Sequence, residues 1–427
     1  MMGQKVYLSP MTRLWHGFAA MGAIDGHEFV VSRGEGARVW DSAGREYLDA
    51  SAGLWFVSVG HGRAEIADAA AAQMKKLAAH HCFFDHANEP AIELADRIVE
   101  LSPFSDGAVF FGSGGSEAVD TACKLARRYW SAQGKDSKTI IISRQHGYHG
   151  MNAYGTSLSG IPANLEGYGV MIPETLRVSW DNPEDLEETL DRYDGRVAAF
   201  IGEPVIGAGG VIEAPDGYWP EIRRICTERE ILFIQDEVIC GFGRLGANFG
   251  CMRYGVEPDL ITFAKGATSG YLPLGGIIAS PMIKDFFWAK GAPPFRHGFT
   301  YGGHAACCAA GLANLDILER EGLIARVAEL ESVLADVVAP MRDLELVAEV
   351  RTAGLLAGIE FKAEVLAANP GLADKVSVRS RENGVITRSL RGVGLQFSPP
   401  FVTTPEQLHA MAEGMTTGIR EMTAQLV

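Results

Sequence analysis

The chain has 427 residues, 50 of them glycine and 47% of them apolar, and 38 Lys+Arg minus 53 Asp+Glu leaves a formal charge of −15. That composition is too apolar for a disordered chain and too acidic to offer nucleic acid a basic face. No apolar run approaches the roughly 18 residues that cross a bilayer, and residues 1–15 hold no apolar stretch of signal-peptide length, so the expectation is a cytoplasmic globular protein of two or three domains, with neither a nucleic acid nor a membrane as partner.

In chain order, 28–50 reads as hairpin strands turning at Ala43-Gly44. The Ala-rich stretch 64–79 reads as helix. Asn88 caps a second helix with Pro90 in its first turn and Ile92, Ala95 and Val99 along one face. A short strand at 108–111 leads through a glycine cluster into a helix over 117–130. Further short β-rich runs at 139–143, 197–201, 231–234, 260–263 and 276–279 alternate with helical patterns, which describes a mostly parallel central sheet with helices on both faces. Ala292-Pro293-Pro294 reads as a loop. Beyond about residue 315, two long helical patterns flank a β-rich stretch at 347–361. The expected organisation is a large α/β domain over 62–315 and a smaller α+β domain built from 1–61 and 316–427. Seven cysteines, an odd number without a C-x-x-C, predict buried small hydrophobes in a reducing compartment.

Four features follow strands, where ligands of open α/β sheets gather. Gly112-Ser113-Gly114-Gly115-Ser116-Glu117 joins a strand to a helix, so close backbone approach, free helical amides and the Ser116 hydroxyl together suit a phosphate; an ordinary tight turn is the competing reading. Asp236 ends the 231–234 run, where a carboxylate needs a protonated ring nitrogen, a metal or a backbone cap as partner. Lys265 directly follows the run Leu260-Ile261-Thr262-Phe263-Ala264, where loss of solvent frees its amine for nucleophilic attack. His146-Gly147-Tyr148-His149-Gly150 follows the 139–143 strand and offers a flat ring for stacking. His146 and His149 lack further ligands at metal spacing, so no metal is expected there. Gly241-Phe242-Gly243-Arg244-Leu245-Gly246 matches a dinucleotide fingerprint literally, but no convincing helix opens after it. A phosphate cup, an acid for a pyridine nitrogen and a desolvated lysine are together the requirements of pyridoxal 5'-phosphate.

These residues resemble, nearly end to end, the class III pyridoxal-phosphate aminotransferases of fold type I, the ω-aminotransferase group. The likeness runs through Leu54-Trp55, Ser113-Gly114-Gly115-Ser116-Glu117-Ala118, His146-Gly147-Tyr148-His149-Gly150 and Glu203-Pro204-Val205. It continues through Asp236-Glu237-Val238, Gly241-Phe242-Gly243-Arg244, Lys265-Gly266, Leu272-Pro273-Leu274-Gly275-Gly276 and His297-Gly298-Phe299-Thr300-Tyr301. The resemblance implies that Lys265 carries the cofactor, that Asp236 pairs with its ring nitrogen, and that Val238 and Tyr148 flank the ring. Gly114, Gly115 and Ser116 would bind the phosphate, with Gly114 standing where many relatives have Ser. Glu203 would orient groups near the ring hydroxyl. Thr300 would reach the cofactor of a neighbouring subunit in a homodimer, or in a tetramer assembled from dimers. Trp55 and Phe84 would wall the substrate pocket, and Arg388, with Arg391 close by, would bind the acceptor's carboxylate. The implied activity is ping-pong transfer from a primary amine or ω-amino acid to a keto acid, expected to be pyruvate. Use of 2-oxoglutarate, or an aminomutase or decarboxylase of the same family, is the alternative.

Overall fold

The computed structural model describes residues 13–24 and 26–426; the leading segment that lacks a signal-like stretch lies, up to residue 12, outside the described residues. Seven strands form one sheet in the order Ala108–Gly112, Gly275–Ala279, Leu260–Phe263, Leu232–Asp236, Val197–Gly202, Ile140–Arg144, Thr175–Val178. The strands side by side from Leu260–Phe263 to Thr175–Val178 pair in parallel. Gly275–Ala279 runs antiparallel to both neighbours, because the connection from Leu260–Phe263 is too short to make the crossover a parallel partner needs. Side chains alternate between the two faces. Ile141, Ile201 and Leu232 thus enter a core closed by the helix Gly115–Ala132, while Ile140, Ile142 and Phe233 enter the core on the opposite side, with Leu186 and Ile222 of other helices. The fold is therefore type I, with helices on both faces.

The edge strand Thr175–Val178 has no counterpart among the sequence expectations. Its four residues are mostly half-covered and carry no continuous apolar run. The helix Glu89–Leu101 starts as expected, with the Asn88 side chain accepting from Ala91 N at 3.0 Å. Its buried face is shifted by one residue, however: Ala91, Leu94 and Ile98 are buried, whereas Ile92 is 55% exposed. Leu94 decides this, because it nests where Gly311 of the helix Ala305–Arg320 has no side chain; a Cβ there would lie 2.9 Å from Leu94 Cδ2. Leu94→Ala is expected to cost about 2–5 kcal/mol and Ile92→Ala within about 0.5 kcal/mol, compared by urea unfolding at one protein concentration.

Two four-stranded sheets and a two-stranded ribbon, Val205–Ile206 with Ile212–Glu213, complete the sheets of the described residues. Val31–Glu35, Arg38–Asp41 and Glu46–Asp49 form a meander, and the strand Val385–Ile386 joins it in parallel through Val385 opposite Leu48, so remote segments share one sheet. Val347–Ala353, Leu356–Phe361, Gly394–Phe397 and Ser389–Leu390 form an antiparallel sheet. These two sheets hold Trp55 and Arg388 near the large sheet. The Gly241–Gly246 stretch is a turn, with Gly243 and Gly246 at φ 105° and 76°, and the next helix, Gly250–Arg253, has four residues. The long helix that a dinucleotide fingerprint opens does not follow it. Six cysteines are buried; Cys82 departs from the expectation and is exposed, because it lies in the turn before Asn88.

Candidate active site

The carboxyl ends of the parallel strands converge on a cavity of about 410 Å³ whose wall includes Ser113, Gly114, Gly115, Ser116, Tyr148, Glu203, Asp236, Val238 and Lys265. At its floor the helix Gly115–Ala132 begins. Its N-cap, Gly114, is extended and gives no side-chain cap, and the opening amides of a helix have no intrahelical acceptor. Ser113 N donates to Glu117 Oε2 at 2.6 Å, and Ser116 Oγ accepts from Met151 N at 3.1 Å. The glycines are required by close approach. A Cβ on Gly115 would lie 2.8 Å from Val238 Cγ1, and one on Gly275 would lie 2.7 Å from the Gly114 carbonyl carbon. Main-chain donors and a positive helix end suit this floor to an anion.

Asp236 stands at the end of its strand, 3% exposed. Oδ2 is 2.7 Å from His149 Nδ1, and Oδ1 accepts from Thr262 Oγ1 at 2.8 Å and Val238 N at 3.2 Å. Thr262 is the in-register neighbour of Asp236 on the adjacent strand. The next carboxylate, Glu237, serves a different purpose. It is fully buried and accepts from Gly250 N at 2.8 Å and Cys251 N at 2.6 Å, and burial pushes its carboxyl up to about 7.

Lys265 follows the strand Leu260–Phe263 with φ 45°, a left-handed backbone that costs on the order of 1–3 kcal/mol and collects at functional sites. Burial pulls its ammonium down to about 8, and the nearby Asp236 and Glu203 carboxylates oppose part of that shift. Glu203 accepts from Tyr148 N at 2.9 Å and Gly207 N at 3.0 Å, so it fixes the backbone that presents the Tyr148 ring; burial raises its carboxyl.

Trp55 and Arg388 are not among the cavity's wall residues. Trp55 is buried beside it, with Lys265 Nζ 5.9 Å from its ring centroid and Arg388 Cζ 4.6 Å from the same point. Among the described residues the Arg388 side chain makes no ion pair, its Nε is buried without a partner, and burial lowers its pKa. Arg391 is already engaged, 3.0 Å from His146 Nδ1 and 3.8 Å from Glu360 Oε2. Two expected residues are not brought to this cavity within one chain. Thr300 is exposed. Phe84, expected at the substrate pocket, is 99% exposed and adjoins a separate hollow with Phe83, Phe110 and Phe299. The turn that carries it is tied to Gly303 O by the Asn88 side chain, at 2.8 Å, and faces outward.

His149 and Thr262 carry no role in the sequence reading. For Thr262 the available signal was strand register, since Asp236 and Thr262 sit at matching positions of consecutive strands. For His149 no sequence signal distinguishes it from its neighbour His146.

The donor set fits a pyridoxal phosphate: an anion cradle, a buried carboxylate and a buried amine share one cavity, and side chains at Gly115 or Gly275 would crowd the cradle. Comparison with known proteins agrees with the geometry. The family model described as aminotransferase class-III matches residues 21–419. A diaminobutyrate–2-oxoglutarate transaminase of Halomonas elongata is 37% identical over 93% of this chain and 91% of its own. A putrescine–pyruvate aminotransferase of Pseudomonas aeruginosa is 39% identical over 89% of this chain and 88% of its own. The crystal structure of a thermostable (S)-enantioselective omega-transaminase from Thermomicrobium roseum superposes with a TM-score of 0.91 at 39% identity, covering 95% of this chain and 96% of that one.

Proposed function

We propose that this chain, which belongs to the class III aminotransferase family, takes the amino group of a primary amine or ω-amino acid and passes it to pyruvate. Class III aminotransferases depend on pyridoxal phosphate, which when bound supplies a conjugated ring that spreads the electrons left by a departing proton. The chain's own residues do the rest. The amine of Lys265 is read as the covalent anchor and as the base that takes a proton from the donor's amine-bearing carbon, work that its lowered pKa suits. Asp236, held by His149 and Thr262, would keep a positive charge on the ring nitrogen. Tyr148 and Val238 would flank the ring, with Tyr148 positioned by Glu203. Gly114, Gly115 and Ser116 would hold the phosphate. Segment 62–315 is read as the cofactor-bearing domain, and 1–61 with 316–427 as the part that brings Trp55 and Arg388 to it. Phe84 and Thr300, exposed in one chain, are read as reaching the site of a second copy in a homodimer.

One observation carries the choice of acceptor: among the described residues the half-buried Arg388 guanidinium has no ion pair, while Arg391 is committed to His146 and Glu360. A single available guanidinium suits one carboxylate, as in pyruvate, better than the two of 2-oxoglutarate. The Arg388→Leu enzyme is expected to lose about 10- to 100-fold in kcat/KM for pyruvate, while the half-reaction with an uncharged amine stays within about twofold. Equal losses in both half-reactions, or none, would remove Arg388 from this role. A donor panel run with each keto acid tests the acceptor; carbon dioxide release, or isomerisation without a keto acid, would favour a decarboxylase or an aminomutase.

A further inference from the structure

We infer that His80, His81 and His86 form a binding site for a divalent transition-metal ion of the zinc class, on the turn between the helices Ala64–Leu77 and Glu89–Leu101. The three side chains are exposed, and one ring nitrogen of each lies within 4.8 Å of the others. His80 Nε2 and His86 Nδ1 are 3.0 Å apart. The rings of His80 and His81 stack with centroids 4.6 Å apart, and those of His81 and His86 are 4.5 Å apart. The backbone makes this grouping: His86 N donates to Phe83 O at 3.1 Å, which folds the turn back and returns the third imidazole to the adjacent pair.

Zinc binds imidazole nitrogen at about 2.0–2.1 Å in a tetrahedron, which sets ligand nitrogens about 3.3 Å apart. The His80–His86 pair is already near that spacing. His81 has to close by about 1.5 Å at most, within the rotamer freedom of an exposed side chain. His81 Nδ1 now faces the Phe83 amide at 3.3 Å, so ligation through that atom breaks one long, exposed contact. On His86 the nitrogen turned away from the cluster, Nε2, lies 3.8 Å from Asp85 Oδ1, the type of outer carboxylate that orients a metal-bound imidazole. Cys82 is turned elsewhere, toward Gly303 O and the Asn88 amide, so the donor set is all-nitrogen. Three imidazoles suit zinc, nickel or copper rather than magnesium or calcium and leave a fourth position for water. None of the three residues lines the Lys265 cavity of its own chain. An ion here would stiffen the turn that carries Phe84.

The test uses the full chain with its cofactor bound, stripped of metal with a chelator and titrated with zinc chloride by calorimetry and equilibrium dialysis. One zinc per chain is expected. His80→Ala and His86→Ala should each weaken binding by at least ~10-fold, the triple variant H80A/H81A/H86A should lose the site, and Cys82→Ser should bind as the parent does. Equal binding by the parent and the triple variant, or no binding by the parent at millimolar zinc, overturns the inference. Should the triple variant fail to fold, carbethoxylation of the parent's histidines, mapped by mass spectrometry, decides. Zinc protection of residues 80, 81 and 86 supports the site, and unchanged modification overturns it.

Discussion

Lys265→Ala is expected to lower transamination by on the order of 10⁴-fold while leaving cofactor content and thermal stability near those of the parent. The reasoning combines position with cost. A lysine amine drawn away from bulk solvent into a cavity wall is an expensive group to hold, and here its backbone also sits in a left-handed conformation. Alanine relieves the burial, so the fold has no reason to weaken, yet the proposed covalent anchor and proton carrier disappear together. On the proposed reading, the cradle at Gly114–Ser116 and the Asp236 carboxylate remain to hold the cofactor without a bond. Activity within tenfold of the parent would end the assignment. The protonation state gives a second readout. In the cofactor-free protein the amine is half-deprotonated near pH 8, rather than near the ordinary lysine value of about 10.4. The neutral amine is the reactive form, so modification of residue 265 by an amine-directed reagent should accelerate as pH rises through about 8 and level off above it.

Asp236→Asn is expected to reduce kcat by about 10²–10³-fold, with a modest effect on cofactor content. The substitution keeps shape and most hydrogen bonds but removes the negative charge. Asp236 is one of three buried carboxylates near this strand end, and its geometry separates it from the others. Glu237 spends its oxygens on Gly250 N and Cys251 N, and Glu203 spends its own on Tyr148 N and Gly207 N. Asp236 lines the cavity, as Glu203 does, but its oxygens also meet side chains, those of His149 and Thr262. Thr262→Val removes one of those donors without touching the charge and should cost less than about tenfold. Should Thr262→Val cost as much as Asp236→Asn, orientation rather than charge would be the contribution of Asp236.

Much of this was legible in one dimension. The apolar runs ending at Ile234 and Phe263 are strands because β-branched and aromatic residues fill a sheet covered on both faces, and the residue after such a run is carried to the sheet's carboxyl edge. That rule singles out Lys265 and Asp236, each two residues past the end of its run. Composition and the glycine cluster before Gly115–Ala132 work the same way, since each depends on local chemistry alone. What pairs with what could not be read there. The His149–Asp236 contact joins residues 87 positions apart, and only the folded chain shows that His146 and Glu360 engage Arg391 and not Arg388. The face of Glu89–Leu101 that turns inward depends on a gap at Gly311, and the outward turn of Phe84 depends on Gly303. Local sequence determined the elements and the residue types at their ends, because propensity and burial act over a few residues. Tertiary structure alone decided the partners, because hydrogen bonds, ion pairs and packing gaps between distant segments exist only once the chain has closed on itself.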